Sequence, residues 1–520
     1  MANRRMVRAA AFEKSTVIHV SADGSSVVLA IDIGTSSCRA SLYERDASAS
    51  GAHRLRGRAA QVAYSPRVTA DGGAELEAGV LFEQVCSTLD LVLRGKPPAL
   101  AAVGTSTFWH SLLGLDAEGR PVTPVYLWMD ARSRASAADL RRRLDERVVQ
   151  ARVGTMLHWS YWPAKLKWLH DTQPRLYCSV ARWVSFGEYL LQRLTAQSGV
   201  SVSMASGTGL LDTHTCQWDA PLLQELRLDE RSLSRIEALD QTASLRQEFA
   251  SRWPALRGVP WLLALGDGAC SNIGAGCTTS DRVAVMIGTS GAERVVWSPP
   301  DPFEVPWGTW CYRVDARRAV LGGAINDGGS LFDWLRRSLR LPPLGRAEAA
   351  VAVLEPDAHG LTILPFWAGE RSTGWADDAR GAVVGLRLNT QPEEILRAAL
   401  EAIALRLRAI DQLLLAAMPA GKEVIATGGA LLHSPAWLQI VADALGRPVL
   451  ASAEPEASSH GAALLAMETL GLLPHRLEHV VPETTMRYEP VAEHSRRYAE
   501  AAERQRHLYD LLVAHQSTGD

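Results

Sequence analysis

Val27-Val28-Leu29-Ala30-Ile31 is an unbroken apolar run that leads into Asp32-Ile33-Gly34-Thr35-Ser36-Ser37. A short apolar run bounded by a small-residue turn reads as a strand buried on both faces. A second strand is expected over 38–43, so the Gly-Thr-Ser-Ser turn joins the two as a hairpin. The same pattern returns in the second half of the chain. Residues 282–287 are again apolar, Gly288-Thr289-Ser290-Gly291 is again a turn of small residues, and 293–297 form the returning strand. Two copies of strand, Gly-Thr-Ser turn, strand predict two related α/β domains facing each other across a cleft. A further strand is expected at 100–105. Helices are expected at 80–94, 133–147, 183–195, 392–417, 435–446 and 490–514. The hinge is placed near 275, within a stretch punctuated by Pro254, Pro260 and several glycines.

The bulk properties agree with this division. A chain of 520 residues is too long for one core. The expected units are an extension at 1–26, partly disordered, then a first domain at 27–275, a second at 276–490, and a C-terminal helix and tail at 491–520. A net charge of −3 provides no field for nucleic acid or an acidic membrane. No run reaches the roughly 18 apolar residues of a membrane span. The seven cysteines have no Cys-x-x-Cys spacing, and reduced thiols in a cytoplasmic protein are the simplest reading. The expected partner is a small molecule, with the protein a monomer or homodimer.

Three motifs carry chemistry. In the first turn, Gly34 lets backbone amides approach a phosphate, Thr35 and Ser36 add hydroxyl donors, and Asp32 is a candidate ligand for hydrated Mg²⁺. An ordinary polar hairpin turn is the alternative. In Leu265-Gly266-Asp267-Gly268-Ala269, a carboxylate between glycines is expected on exposed backbone with little packing. It is a candidate base for phosphoryl transfer to an alcohol, or a plain surface turn. Gly288, Thr289 and Ser290 offer a second phosphate cradle. In Ala426-Thr427-Gly428-Gly429-Ala430, paired glycines leave a flat slot for a purine, or make a tight strand-to-helix turn.

Taken together, these pieces resemble the FGGY carbohydrate kinases of the actin-like ATPase superfamily. The motifs that carry the resemblance are Asp32-Ile33-Gly34-Thr35-Ser36, Trp128-Met129-Asp130-Ala131-Arg132, Gly266-Asp267-Gly268, Ile287-Gly288-Thr289-Ser290-Gly291, Thr427-Gly428-Gly429-Ala430 and the closing stretch 456–463. Leu364-Pro365, Gly369-Glu370-Arg371, Trp375 and Ala379-Arg380-Gly381 resemble the gluconokinase branch, and xylulokinases share much of this. The resemblance implies two actin-like (ribonuclease H-like) domains flanking a deep cleft, with MgATP and a sugar or sugar acid between them. It implies D-gluconate as acceptor, with a pentulose or polyol as the rival and a non-catalytic sugar sensor as a further alternative. By the same resemblance, Asp267 is the catalytic base and, with Asp32, a metal ligand. Gly288, Thr289, Ser290, Gly329, Gly428 and Gly429 hold the nucleotide with Gly34, Thr35 and Ser36. His110 and Trp128 contact the sugar. The family usually places Gln-Met before this His; here Phe108-Trp109 stand there, which implies an aromatic wall with Trp109 lining the sugar. Asp130 and Arg132 read as an internal ion pair.

Overall fold

The computed structural model describes residues 26–46, 51–300, 302–418 and 423–514; the extension expected at 1–26 lies outside these except for its last residue. Each half is built on one twisted sheet. In the first, β1 (Val27–Ile33) pairs antiparallel with β2 (Ser37–Arg45), and β2 with β3 (Ala52–Ala63). On its other side β1 runs parallel to β4 (Ala102–Thr107), which pairs in turn with β5 (Trp261–Leu262) and β6 (Leu265–Gly266). The second sheet repeats the plan. Strand β7 (Arg282–Ile287) pairs antiparallel with β8 (Gly291–Trp297); β10 (Ala319–Ile325) pairs antiparallel with both β8 and β9 (Trp310–Arg313). On the far side β7 runs parallel to β11 (Glu423–Thr427), and β11 to β12 (Val449–Ser452). An antiparallel trio whose first strand also runs parallel to a later strand is thus present twice, as β1-β2-β3 and as β7-β8-β10, with β9 added at the edge of the second. The two small-residue turns occupy the same place in each copy.

Local sequence explains the elements. β1 is buried at every position, as expected of an apolar strand covered on both faces. The helix α3 (Pro392–Ala417) begins with Pro at its first position and a reciprocal Gln391–Glu394 capping box, and its bounds are those read from the sequence. The helix expected over 133–147 is instead two, Arg134–Arg143 and Glu146–Val153, because Asp145 caps the second with its carboxylate.

The linear division into domains is crossed twice. Helix α5 (Ala457–Thr469) follows the second sheet in sequence, yet it packs on β1 and β4 of the first. Glycines permit this: a Cβ on Gly104 would lie 2.5 Å from the Ala462 carbonyl oxygen. Residues 462–480 therefore join the first domain's hydrophobic core. The expected tail at 491–520 is likewise not separate. Helix α6 (Ala492–Tyr509) buries Tyr498 and Ala501 in the second core. Among the described residues no helix is long and apolar enough to cross a membrane.

Candidate active site

Asp32 ends β1 and is buried. Ser106 of β4 donates a 2.9 Å hydrogen bond to its Oδ1, and Arg39 approaches to 3.5 Å. Burial pushes its carboxyl up to about 6, with the charges of Asp267 and Glu456 adding to the rise and Ser106 and Arg39 opposing it. Thr35 is placed by Trp128, whose indole Nε1–H donates to its Oγ1 at 3.2 Å. The Gly34 carbonyl accepts from Tyr64 at 2.6 Å, and Ser36 is exposed at the tip.

Asp267 is the first residue of α1 (Asp267–Gly274), and the expectation of exposed, loosely packed backbone is corrected here. Gly266 and Gly268 are both buried against the Trp109 indole, and a Cβ on either would collide with its ring. Asp267 Oδ1 accepts from the Gly268 amide at 2.8 Å. Burial raises its pKa, opposed by Arg294 and the amides of Gly268 and Trp109. Arg294 arrives from β8. Its Nε donates to Asn272 Oδ1 at 3.1 Å, the Asn272 amide donates back to the Arg294 carbonyl at 3.3 Å, and its Nη2 is buried without a partner.

The aromatic pair before His110 splits. Phe108 turns into the core and stacks on Phe186 at 6.2 Å, so the expected wall is not made by Phe108. Trp109 is buried, packs beneath Gly266 and Gly268, and donates from Nε1 to the Ser203 carbonyl at 3.0 Å. Its ring meets Tyr312 of the second domain at 4.6 Å. His110 adopts a left-handed backbone (φ 66°). The Lys165 ammonium, buried and pulled down to about 7 by desolvation, donates to the His110 carbonyl at 3.1 Å. Burial lowers the His110 imidazole to about 3, so it is neutral. Its Nδ1 is engaged by the Gly207 carbonyl, which fixes the tautomer and leaves Nε2 as an acceptor for a hydroxyl. Asp130 and Arg132 form the expected internal pair, with Glu75 as a third member.

Three glycine segments converge in the second domain. The amide of Gly329, at the start of α2 (Gly329–Ser338), donates to the Gly288 carbonyl at 2.8 Å, while Gly328 and Ser330 donate to the Thr289 carbonyl, both at 3.1 Å. Gly428 has φ 87°, and a Cβ there would collide with the Ile287 carbonyl; Gly329 lies against Ala430. Gly429 opens α4 (Gly429–Leu432), where a Cβ would meet only the His433 ring, at 3.8 Å. The segments that hold Gly288, Thr289, Ser290, Gly329, Gly428 and Gly429 are thus packed against one another.

Residues 27–274 match the N-terminal domain of the FGGY family of carbohydrate kinases, and residues 283–470 match its C-terminal domain. The chain belongs to this family. The gluconokinase of Bacillus subtilis (strain 168) is 26% identical over 463 residues, spanning 86% of this chain and 88% of that protein. The gluconate kinase structure from Lactobacillus acidophilus superposes with a TM-score of 0.87 at 25% identity, over 95% of this chain and 99% of that one. The xylulose kinase structure from the same organism gives 0.86 at 26%, over 94% and 98%. The protein is therefore a sugar kinase, a phosphotransferase that uses ATP, with the two-domain ribonuclease H-like fold of its family. Sequence reasoning missed Arg39, Ser106, Lys165 and Arg294. For Arg294 a signal was present: Glu293-Arg294 is a charged pair inside an otherwise apolar strand.

Proposed function

We propose that the protein transfers the γ-phosphate of ATP to a hydroxyl of D-gluconate, giving 6-phosphogluconate. The observation that carries this reading is the half-buried Asp267 carboxylate beside Arg294, set over the Trp109 ring whose neighbour in the chain is a neutral His110 with an uncommitted Nε2. His110 Nε2 accepts one sugar hydroxyl and orients the chain. Asp267 accepts the proton of the attacking hydroxyl, and its raised pKa makes it a better base than an exposed carboxylate. Trp109 holds it from below. Thr289 and Ser290 present their hydroxyls to the phosphates, on a turn that Gly288 and Gly329 hold through backbone hydrogen bonds, with Gly428 and Gly429 beside the adenine. Thr35 and Ser36 close on the phosphates from the first domain. Asp32 and Asp267 suit a divalent cation, since they are neighbouring carboxylates that repel one another and no described cation lies close enough to Asp267 to form an ion pair. Mg²⁺ bound there would neutralise the charge of the transferring phosphate.

The similarity to gluconokinases supports gluconate. The almost equal superposition on a xylulose kinase favours a pentulose as the second reading. The test is ADP release with D-gluconate, D-xylulose and glycerol at saturating MgATP. Gluconate is expected to give the highest kcat/KM. A pentulose or polyol preferred by roughly tenfold, about 1.4 kcal/mol of transition-state binding, would leave the kinase reading and remove the substrate.

A further inference from the structure

We propose that Lys165 is a positioning residue for the acceptor: it holds His110 in the backbone conformation that aims the imidazole at a sugar hydroxyl. This rests on the reading of His110 as an acceptor contact given above. At φ 66°, His110 has a left-handed backbone that residues other than glycine rarely adopt. Such a conformation persists only where its surroundings over-determine it, and it gathers at functional sites.

The restraint comes from one helix, Trp162–Thr172. Trp162 and Lys165 stand three residues apart on it and are therefore neighbours on its surface. The Trp162 indole donates to the Ser111 carbonyl at 3.0 Å, and the Lys165 ammonium donates to the His110 carbonyl at 3.1 Å. Two successive carbonyls are thus held side by side. The Gly207 carbonyl engages Nδ1 of the same histidine, so its main chain and its ring are each fixed. Lys165 is 1% exposed, and its second bond goes to the Ser160 carbonyl at 2.7 Å. Ser160 lies in the turn before the helix, and this turn meets the second domain on either side. The Ser160 amide donates to His158 Nδ1 at 3.2 Å, and the far nitrogen of that ring lies 3.1 Å from Asp377. Tyr161 shares a 2.7 Å hydrogen bond with Tyr312, and the His110 ring stands edge-on to Tyr161 at 4.9 Å. The ammonium therefore ties His110 to the segment that spans the two domains. A lysine suits the place, because a compact ammonium turns its donors freely and serves carbonyls from two segments at once. The charges that face it are Asp130, which favours the ammonium, and Arg132, which opposes it; the His110 imidazole is neutral.

The experiment is a double-mutant cycle. Lys165→Met keeps the length of the side chain and leaves both carbonyls without this donor. Wild type, Lys165→Met, His110→Ala and the double variant are assayed with D-gluconate, or with the acceptor that wild type prefers, and the KM for ATP is measured alongside. Lys165→Met alone is expected to raise the acceptor KM about tenfold and to leave the ATP KM within about twofold. In the His110→Ala background the same substitution is expected to change the acceptor KM less than about twofold, because a residue that acts through His110 has nothing left to position. Equal rises in both backgrounds, or an ATP KM that rises as far as the acceptor KM, overturn the proposal and make Lys165 structural. Where Lys165→Met does not fold, the pH profile of the unmodified lysine carries the test, since the ammonium loses its proton near 7. The wild-type acceptor KM is then expected to rise about threefold between about pH 6 and about pH 8.5, and that of His110→Ala to stay flat. A flat wild-type profile, or the same rise in both, overturns the proposal. A His110→Ala variant with the wild-type acceptor KM removes the acceptor contact itself, a different result from either.

Discussion

Asp32 is a buried carboxylate and Asp267 a half-buried one close enough for their charges to interact, and each has a distinct consequence. Asp267→Asn keeps the size and the acceptor for the Gly268 amide while removing the charge. It is expected to lower kcat at least about a hundredfold at saturating gluconate and MgATP, the usual worth of a general base. The thermal midpoint should hold or rise, because a like charge is removed from beside Asp32. Near-normal turnover by the folded variant would end the catalytic assignment. For Asp32 the folded-state pKa lies above its unfolded value, at about 6 against 3.8. The folded protein thus binds the proton more tightly. The stability this contributes is fully present below pH 3.8 and is lost as pH rises through about 6. A shift of this size corresponds to about 3 kcal/mol. Metal-free Asp32→Asn is therefore expected to melt above wild type at pH 7, with the gap closing toward pH 4. A gap independent of pH would show that Asp32 ionisation is not its source.

At the scale of elements, glycine contacts decide how close the helices come. α1 and α5 cross where a Cβ on Gly274 would strike the Ala457 carbonyl and a Cβ on Gly461 the Cys270 carbonyl. His460, stacked on Tyr43 at 5.4 Å, sets one ring nitrogen 2.9 Å from the Gly274 carbonyl and the other 3.1 Å from the Ala52 carbonyl, beside the first sheet. The motif at 456–463 was legible in the sequence as a string of small residues around a histidine. That it packs on β1 and β4 was not, because which sheet a helix covers depends on the path of the whole chain. The Gly-Thr-Ser hairpins were legible because a buried strand and its turn leave a local signal. Phe108 was misread for the opposite reason: adjacent residues on an irregular segment point in directions that no periodicity fixes, and Phe108 turns into the core.

For the molecule as a whole, specific bridges tie the two domains together. Arg141 pairs with Asp377 at 2.6 Å, and His158 approaches Asp377 at 3.1 Å. Burial would raise the Asp377 pKa, but His158 and Arg141 outweigh it and hold it down at about 2. The Gly154 carbonyl accepts from the Cys311 amide at 2.7 Å, and Gly154, at φ 71°, has no room for a Cβ beside the Cys311 carbonyl. Gly154→Ala should force the domains apart there and displace the neighbouring Tyr312. Its natural control is Gly258→Ala, where φ is 73° and nothing lies within 4 Å of a Cβ. Both substitutions carry the left-handed penalty of roughly 1–2 kcal/mol. Only Gly154→Ala is expected to raise the KM for the sugar and to lower the midpoint further. Equal effects in the two variants would mean that the bridge contributes nothing to closure.

The sequence by itself determined the family, the duplicated strand-turn-strand plan and the positions of Asp32, Asp267 and the glycine turns, since each depends on residues adjacent in the chain. Tertiary structure alone decided what surrounds them. Arg294 beside Asp267, Lys165 under His110, and Arg371 over Trp128 unite residues far apart in sequence. Burial then sets their chemistry: removing water shifts the carboxylates and the imidazole. Desolvation depends on everything packed around a group, so it exists only once the chain has folded.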